Sequence, residues 1–331
     1  MKIVVLVGGD KLGGTEIATS KIVEYARAAS HDIHVLTAGT GNPYWHGMAD
    51  TPSIIKSIIQ AKPNLIHVQA PYLGVAAMLA SRRTGIPYLF YERGGVYVLS
   101  AATEIIYRMV VRSAKRVVAQ TEHQRQALRK YTGELVEVIP NGVDVERFGN
   151  MSKRAAREAV GLPLDKKVVL SVGRCRPEKA IGDFVKAAVR ADVTYVAVGD
   201  GPELRRLRET SGKVKFVGAV PNEQVPVYLC AADVLVNTSK SEGFPMAILE
   251  GMASGLPIVA PKVCGIPEIV WDGVHGILTK PGSWQSTADA VDVILDNPGV
   301  ALEMGMGNRE RAKAYSWGNV VRKLYGKDLT P

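Results

Sequence analysis

Short aliphatic, β-branched runs alternate with longer helix-like stretches along all 331 residues, and this alternation constrains the fold more than any other feature. Runs at 2–7, 32–37, 64–68, 87–90, 115–120 and 135–139 read as strands, with helical patterns near 15–29, 52–61, 73–84, 100–113 and 121–131 between them. The pattern restarts in the second half, with strands near 167–172, 193–198, 214–217, 233–237 and 257–260. Strands separated by helices must return to the same edge direction, so each half predicts βαβ units and a parallel sheet. The segment from Val145 to Asp165, which carries Arg147, Lys153, Arg154, Arg157 and Glu158, reads as a linker with one short helix. The expected fold class is therefore α/β, with two doubly wound, Rossmann-like domains facing across a cleft and the ligand at the carboxyl ends of the strands.

Composition limits the alternatives. Apolar content of 47% with 6% aromatics and 33 glycines suits a soluble α/β protein with about two domains. The apolar opening Met1–Val7 breaks at Gly8-Gly9-Asp10, too soon for a signal peptide, and no later run reaches membrane-span length. Cys175, Cys230 and Cys264 are odd in number, widely separated and without a CxxC spacing. That argues against a disulfide framework or a zinc site and for a reducing, cytoplasmic setting. A net charge of +9 permits a nucleotide sugar, an anionic membrane or a nucleic acid as partner and selects none of them.

The densest chemical signal is Ser241-Glu242-Gly243-Phe244-Pro245-Met246, followed eight residues after the first glutamate by Glu250. Pro245 suits the first turn of a helix, where its missing N–H has no partner to lose. Glu250 then lies inside that helix, about 10 Å from Glu242. Free N–H groups around Gly243 to Met246 would suit a phosphate. The plainer alternative makes Glu242 a helix-start acid favoured by the dipole and Glu250 an ordinary surface residue.

Strand 167–172 runs into Gly173-Arg174-Cys175-Arg176-Pro177-Glu178-Lys179. A guanidinium fork at Arg174 and a point charge at Lys179 would clamp a diphosphate, or both are solvated surface charges. The first loop, Gly8-Gly9-Asp10-Lys11-Leu12-Gly13-Gly14-Thr15, fits neither a dinucleotide fingerprint nor a P-loop. Gly13-Gly14 before a helix would still let backbone approach a phosphate or sugar closely, or simply make the turn.

Taken together, these motifs resemble the retaining, two-domain GT-B glycosyltransferases of family 4. The resemblance rests on Glu242 and Glu250, Gly173-Arg174 with Glu178-Lys179, Pro140-Asn141-Gly142-Val143-Asp144 with Phe148, Gly265-Ile266-Pro267-Glu268, and Gly13-Gly14. It implies domains at 1–150 (acceptor side) and 151–314 (nucleotide-sugar side), and a helix at 315–331 that either crosses back to the first domain or finishes the second. It also implies that Arg174 and Lys179 neutralise the donor diphosphate, Glu250 binds the ribose and Glu242 holds sugar hydroxyls. Backbone at Gly14, Phe244 and Met246 would line the phosphate and sugar, with Gly173, Gly243 and Pro245 shaping the site and the base near Val217-Gly218-Ala219-Val220. The substrate would be a UDP-, GDP- or ADP-sugar with a hydroxyl acceptor, and no metal or other cofactor. A GT-B epimerase or hydrolase, or a nucleotide-sugar binding protein without turnover, are the alternatives.

The sequence departs from the family in the first-domain loop Phe90-Tyr91-Glu92-Arg93-Gly94-Gly95, where members often carry a histidine. Glu92 or Arg93 stands in its place; an arginine cannot act as a base but could bind an anionic group. His67, in His67-Val68-Gln69, is either an acceptor-side group or a core histidine, and His123 reads as a helix-start residue. The basic stretch 100–131, with Arg108, Arg112, Lys115, Arg116, Arg125, Arg129 and Lys130 among apolar residues, is a solvated face or a peripheral contact for an anionic inner membrane face. Aromatics for stacking bases are scarce, which disfavours nucleic acid.

Overall fold

The structure, a computed structural model, describes residues 1–8, 14–37, 50–93, 101–133 and 135–326. The chain divides into two compact units, Met1–Gly142 with Trp317–Pro331, and Val143–Ser316.

In the first unit, strands β1 (Lys2–Val7), β2 (Asp32–Thr37), β3 (Leu65–Val68), β4 (Tyr88–Tyr91), β5 (Arg116–Ala119) and β6 (Val136–Val138) form one sheet in the order β2-β1-β3-β4-β5-β6. Every neighbouring pair is parallel. Helices α1 (Gly14–Ala28), α2 (Thr51–Ala61), α3 (Gly74–Thr84), α4 (Ala101–Ser113) and α5 (Glu122–Thr132) lie between the strands in sequence. Alternation along the strands sorts side chains to two faces: Val4, Leu6, Ile66, Val68, Tyr88 and Phe90 share one apolar cluster with Ile54, Ile58 and Val110 from the helices. His67 falls on the opposite face and stacks on Tyr91, with ring centroids 5.8 Å apart.

In the second unit, β7 (Lys167–Val172), β8 (Val193–Val198), β9 (Val214–Gly218), β10 (Val234–Val236), β11 (Ile258–Pro261) and β12 (Gly276–Thr279) are ordered β12-β11-β10-β7-β8-β9, again all parallel. The helices are α6 (Lys153–Val160), α7 (Ile181–Ala187), α8 (Leu204–Thr210), α9 (Val225–Ala231), α10 (Met246–Ala253), α11 (Ile266–Ile269), α12 (Trp284–Asp296) and α13 (Pro298–Lys313). Val168, Leu170 and Leu235 enter one core cluster and Val169, Val234 and Val236 another, so the sheet is covered on both faces.

Two expectations need correcting. The segment 145–165 is no linker: Phe148, Ala156 and Leu162 join the second unit's core, and the division falls after Gly142 rather than at 150. One of its charges is internal. The buried Arg157 donates to Asp233 Oδ2 at 2.6 Å, to the Ala231 carbonyl at 3.0 Å and to the Lys166 carbonyl at 2.9 Å. Strand β12 also escaped the sequence reading, because Gly276-Ile277-Leu278-Thr279 is short and glycine-led. That glycine is a packing requirement: a Cβ there would lie 1.8 Å from the Ile258 carbonyl oxygen.

The last helix, α14 (Trp317–Tyr325), belongs to the first unit. Trp317, Val320, Val321, Leu324 and Tyr325 are buried, and Arg116 donates to the carbonyls of Leu324 (2.6 Å) and Lys323 (3.0 Å) at its carboxyl end. A cation there meets both the unpaired carbonyls and the negative end of the helix dipole.

Candidate active site

In the second unit the first strand of the sheet, β7, is flanked by β8 on one side and β10 on the other. Connections leaving β7 and β10 therefore diverge, opening a crevice at the carboxyl ends of these two strands. The loop after β7 carries Gly173, Arg174 and Lys179; the loop after β10 carries Glu242. Topology alone thus brings together residues 63 positions apart.

The two loops are tied. Lys240 N–H donates to the Glu178 carbonyl at 2.8 Å, and Thr238 Oγ1 donates to the Lys179 carbonyl at 3.0 Å. Across them Lys179 Nζ donates to Glu242 Oε1 at 2.6 Å, and Ser239 Oγ donates to the same oxygen at 2.6 Å. Asn237 Nδ2 adds a longer contact at 3.4 Å, and its Oδ1 accepts from Ser239 N–H at 2.9 Å. The Glu242 side chain is only 7% exposed, against 27% for Lys179, so the carboxylate is fixed while the ammonium still faces solvent. All these donors converge on Oε1, and among the described residues none donates a hydrogen bond to Oε2.

Arg174 is exposed, and Gly173 is half-buried. Their loop is zipped to its neighbours: Gly173 N–H donates to the Val198 carbonyl and Cys175 N–H to the Asp200 carbonyl, each at 2.9 Å, while Gly199 N–H donates to the Gly218 carbonyl at 2.8 Å. Gly199 has φ +137°, and a Cβ there would lie 1.9 Å from the Gly173 carbonyl oxygen. Gly218 ends β9 with φ +90°. The run Gly199-Asp200-Gly201-Pro202 is thus part of the same construction, which the sequence reading missed. Its signal was available: two glycines around an aspartate, directly after a strand.

Helix α10 begins at Met246, with Pro245 just before it at φ −80°, ψ 87°. Pro245 is therefore the flanking residue rather than the first helical one, and its carbonyl accepts from Ile248 N–H at 3.1 Å. Phe244 is buried beside Tyr315, with ring centroids 6.4 Å apart, while Gly243 and Met246 are half-buried. Glu250 follows Met246 by four residues and so sits on the same side of the helix, one turn in. Burial pushes its carboxyl up to about 7, opposed by the positive charge of Arg147.

The first unit treats its candidates differently. Gly14 opens α1, and Gly13 lies outside the described residues. His67 is fully buried, with Nδ1 2.6 Å from Tyr325 Oη; burial and the charges of Arg93 and Arg116 lower its pKa to about 3. It is a neutral core histidine at ordinary pH. Glu92 is buried and accepts from Tyr107 Oη at 2.7 Å. Arg93 is buried and donates to Gln69 Oε1 at 3.1 Å and Asn141 Oδ1 at 2.6 Å. His123 is exposed in the first turn of α5. Among the described residues, no group of three or more His, Cys, Asp or Glu side chains could hold a metal ion, and no helix is long and apolar enough to cross a membrane.

Two doubly wound parallel sheets of this design define the class. The crystal structure of Anabaena HepE in complex with UDP and glucose superposes with a TM-score of 0.85 over 98% of both chains, at 22% identity, and the fold is GT-B. Residues 152–313 match the family model of glycosyl transferases group 1, and residues 12–147 that of glycosyltransferase family 4. A D-inositol 3-phosphate glycosyltransferase 2 of Catenulispora acidiphila is 31% identical across 81% of this chain and 72% of its own length. The putative teichuronic acid biosynthesis glycosyltransferase TuaC of Bacillus subtilis is 34% identical over 69% of this chain, which spans 60% of that relative. This chain belongs to family 4 of the glycosyltransferases.

Proposed function

We propose that this protein is a retaining glycosyltransferase that moves a sugar from a nucleoside-diphosphate sugar to a hydroxyl acceptor. The observation that carries the reading is the Lys179–Glu242 pair at the β7/β10 crevice, with Arg174 exposed on the same loop. Breaking a glycosyl–phosphate bond develops positive charge on the sugar and negative charge on the departing diphosphate. Cations already in place are worth several kcal/mol of that barrier, because they need no reorganisation at the moment of reaction. Arg174 and Lys179 fill this role, with no metal or other cofactor called upon.

Lys179 Nζ is hydrogen-bonded to Glu242 Oε1 at 2.6 Å, and a diphosphate competing for the ammonium would release Oε1 for sugar hydroxyls. Glu250, one turn into α10, would accept from the ribose. Backbone N–H groups at Phe244 and Met246 would line the phosphate, and the base would lie near Gly218. The exposed face of α4 carries Ile105 and Met109, 62% and 45% exposed, with Arg108 and Arg112. That combination supports peripheral contact with an anionic membrane from the cytoplasmic side.

Nucleotide release from UDP-, GDP- and ADP-sugars, with and without a cell or lipid extract as acceptor source, tests the reading. One donor should release its nucleotide faster with extract and yield a heavier, sugar-bearing product. Lys179→Ala and Glu242→Ala should each lower this rate at least a hundredfold with the fold intact by circular dichroism. Wild-type rates in either variant would sink the assignment. Donor loss without acceptor would favour an epimerase or hydrolase, and binding without release a non-catalytic protein.

A further inference from the structure

The segment that opens the second unit lies along the helix that carries Glu250. Phe148 is buried in one apolar cluster with Leu249, Met252 and Ala253, from both sides of Glu250 in α10. At the next residue, a Cβ on Gly149 would lie 3.3 Å from the Ala253 carbonyl oxygen. Arg147, directly before Phe148, is half-buried. Its guanidinium lies over the Phe148 ring, 5.5 Å from the centroid, and donates to the Asn222 carbonyl at 2.5 Å. Asn222 starts a turn two residues after Val220, the end of the stretch where the base is expected.

Among the described residues, neither Arg147 nor Glu250 has a conventional partner. No carboxylate pairs with the guanidinium, and nothing donates a hydrogen bond to the Glu250 carboxylate. A guanidinium tied to a carbonyl and an aromatic ring keeps its whole charge, and that charge acts through space on a nearby acid. Here the acid is Glu250: the field of Arg147 favours its ionised form, against burial, which favours the neutral one. The other elements packed on α10 direct their charges elsewhere. Strand β11 has no charged side chain, and α9 has only Tyr228 and Cys230 as titratable groups. On α13, Arg311 donates to the carbonyls of Glu268 and Ile269, Arg309 donates to that of Gly149, Lys313 pairs with Glu310, and Glu303 is exposed. On the opening segment itself, Glu146 is exposed and Asp144 half-buried.

We propose that Arg147 is a positioning residue of the donor site, supplying the counter-charge that readies the Glu250 carboxylate for the ribose while the same guanidinium pins the turn at Asn222. The inference rests on the reading of Glu250 as the ribose acceptor given above.

The test is the pH dependence of nucleoside-diphosphate binding by the full chain. UDP, GDP and ADP are titrated separately by calorimetry, and the tightest is followed from pH 6 to pH 9. Arg147→Met should move the rise in affinity about one pH unit upward. Binding then weakens about fivefold at pH 7 and stays within about twofold of wild type at pH 9. Arg147→Lys should keep the wild-type profile, since charge rather than the planar fork acts on Glu250. In a Glu250→Gln chain, adding Arg147→Met should introduce no pH dependence. A loss in Arg147→Met that is the same at pH 7 and pH 9 would make the residue a structural tie to Asn222 and overturn the proposal, as would wild-type affinity at every pH. Should Arg147→Met fail to fold, Arg147→Gln is read by the same criteria. A profile flattened by Glu250→Gln and unmoved by Arg147→Met would sink the role of Arg147 and keep that of Glu250. No nucleoside-diphosphate binding by wild type would sink both, and the transferase reading with them.

Discussion

A carboxyl group that titrates near neutrality makes Glu250 a pH-sensitive residue. Its folded pKa, about 7, exceeds the ordinary value of 4.5, so the folded state holds the proton longer than the unfolded chain does. Stability from this group is present below pH 4.5 and lost as pH climbs through 7. Glu250→Gln should therefore gain in melting temperature relative to wild type between pH 5 and pH 8; parallel curves would show that the carboxyl does not titrate there. If the ribose donates to this carboxylate, nucleoside-diphosphate affinity should rise with pH through 7 in wild type and stay flat in the variant, by calorimetry. His67 works in the opposite sense. Its folded pKa of about 3 lies below 6.5, so the unfolded chain takes up a proton that the fold refuses, and stability falls as pH drops from 6.5 toward 3. The melting temperature of His67→Gln should change less steeply with pH over that range. Neither shift could be read from the sequence, because each arises from burial by residues far along the chain. Tyr325 is the plainest example, reaching His67 across 258 positions.

At the scale of elements, eleven of the twelve strands carried their own signal, since β-branched runs bounded by turns need no tertiary context. Helix α6 was legible as a helix but not as part of a core. Its exposed charges, Arg154 and Glu158, look the same in sequence as the buried Arg157. What separates them is that Arg157 meets Asp233, whose Oδ2 also accepts from Val168 N–H at 2.7 Å. Removing Arg157 leaves Asp233 with the exposed Lys153, 2.7 Å from its Oδ1, as remaining cation, so Arg157→Met should cost at most about 3–5 kcal/mol, read from urea melts. A loss below about 1 kcal/mol would show that water reaches Asp233 freely. The junction into α14 is as tight: a Cβ at Gly142 would lie 2.5 Å from the Trp317 ring and 2.8 Å from its Cα. Gly142→Ala should cost about 1–3 kcal/mol through overpacking.

Over the whole molecule, the chain leaves the first unit at Gly142 and returns to it at Trp317. A fragment of residues 143–316 should therefore fold alone. Residues 1–142 should not, without 317–326 to cover β1–β6 and satisfy Arg116, and circular dichroism melts of the two fragments check this. Cooperative melting of 1–142 at the full-length temperature would refute it. The sequence by itself determined two parallel α/β units and the motifs around Lys179 and Glu242, while the hydrogen bond between those two side chains came from the tertiary structure. Periodicity and short motifs are local, and the family resemblance joined them. Only the tertiary structure decided where one unit ends, that residues 145–165 belong to a core, and that His67 and Arg93 are interior. Burial is set by which distant segments pack together, and two residues with identical local sequence chemistry diverge once one of them loses water.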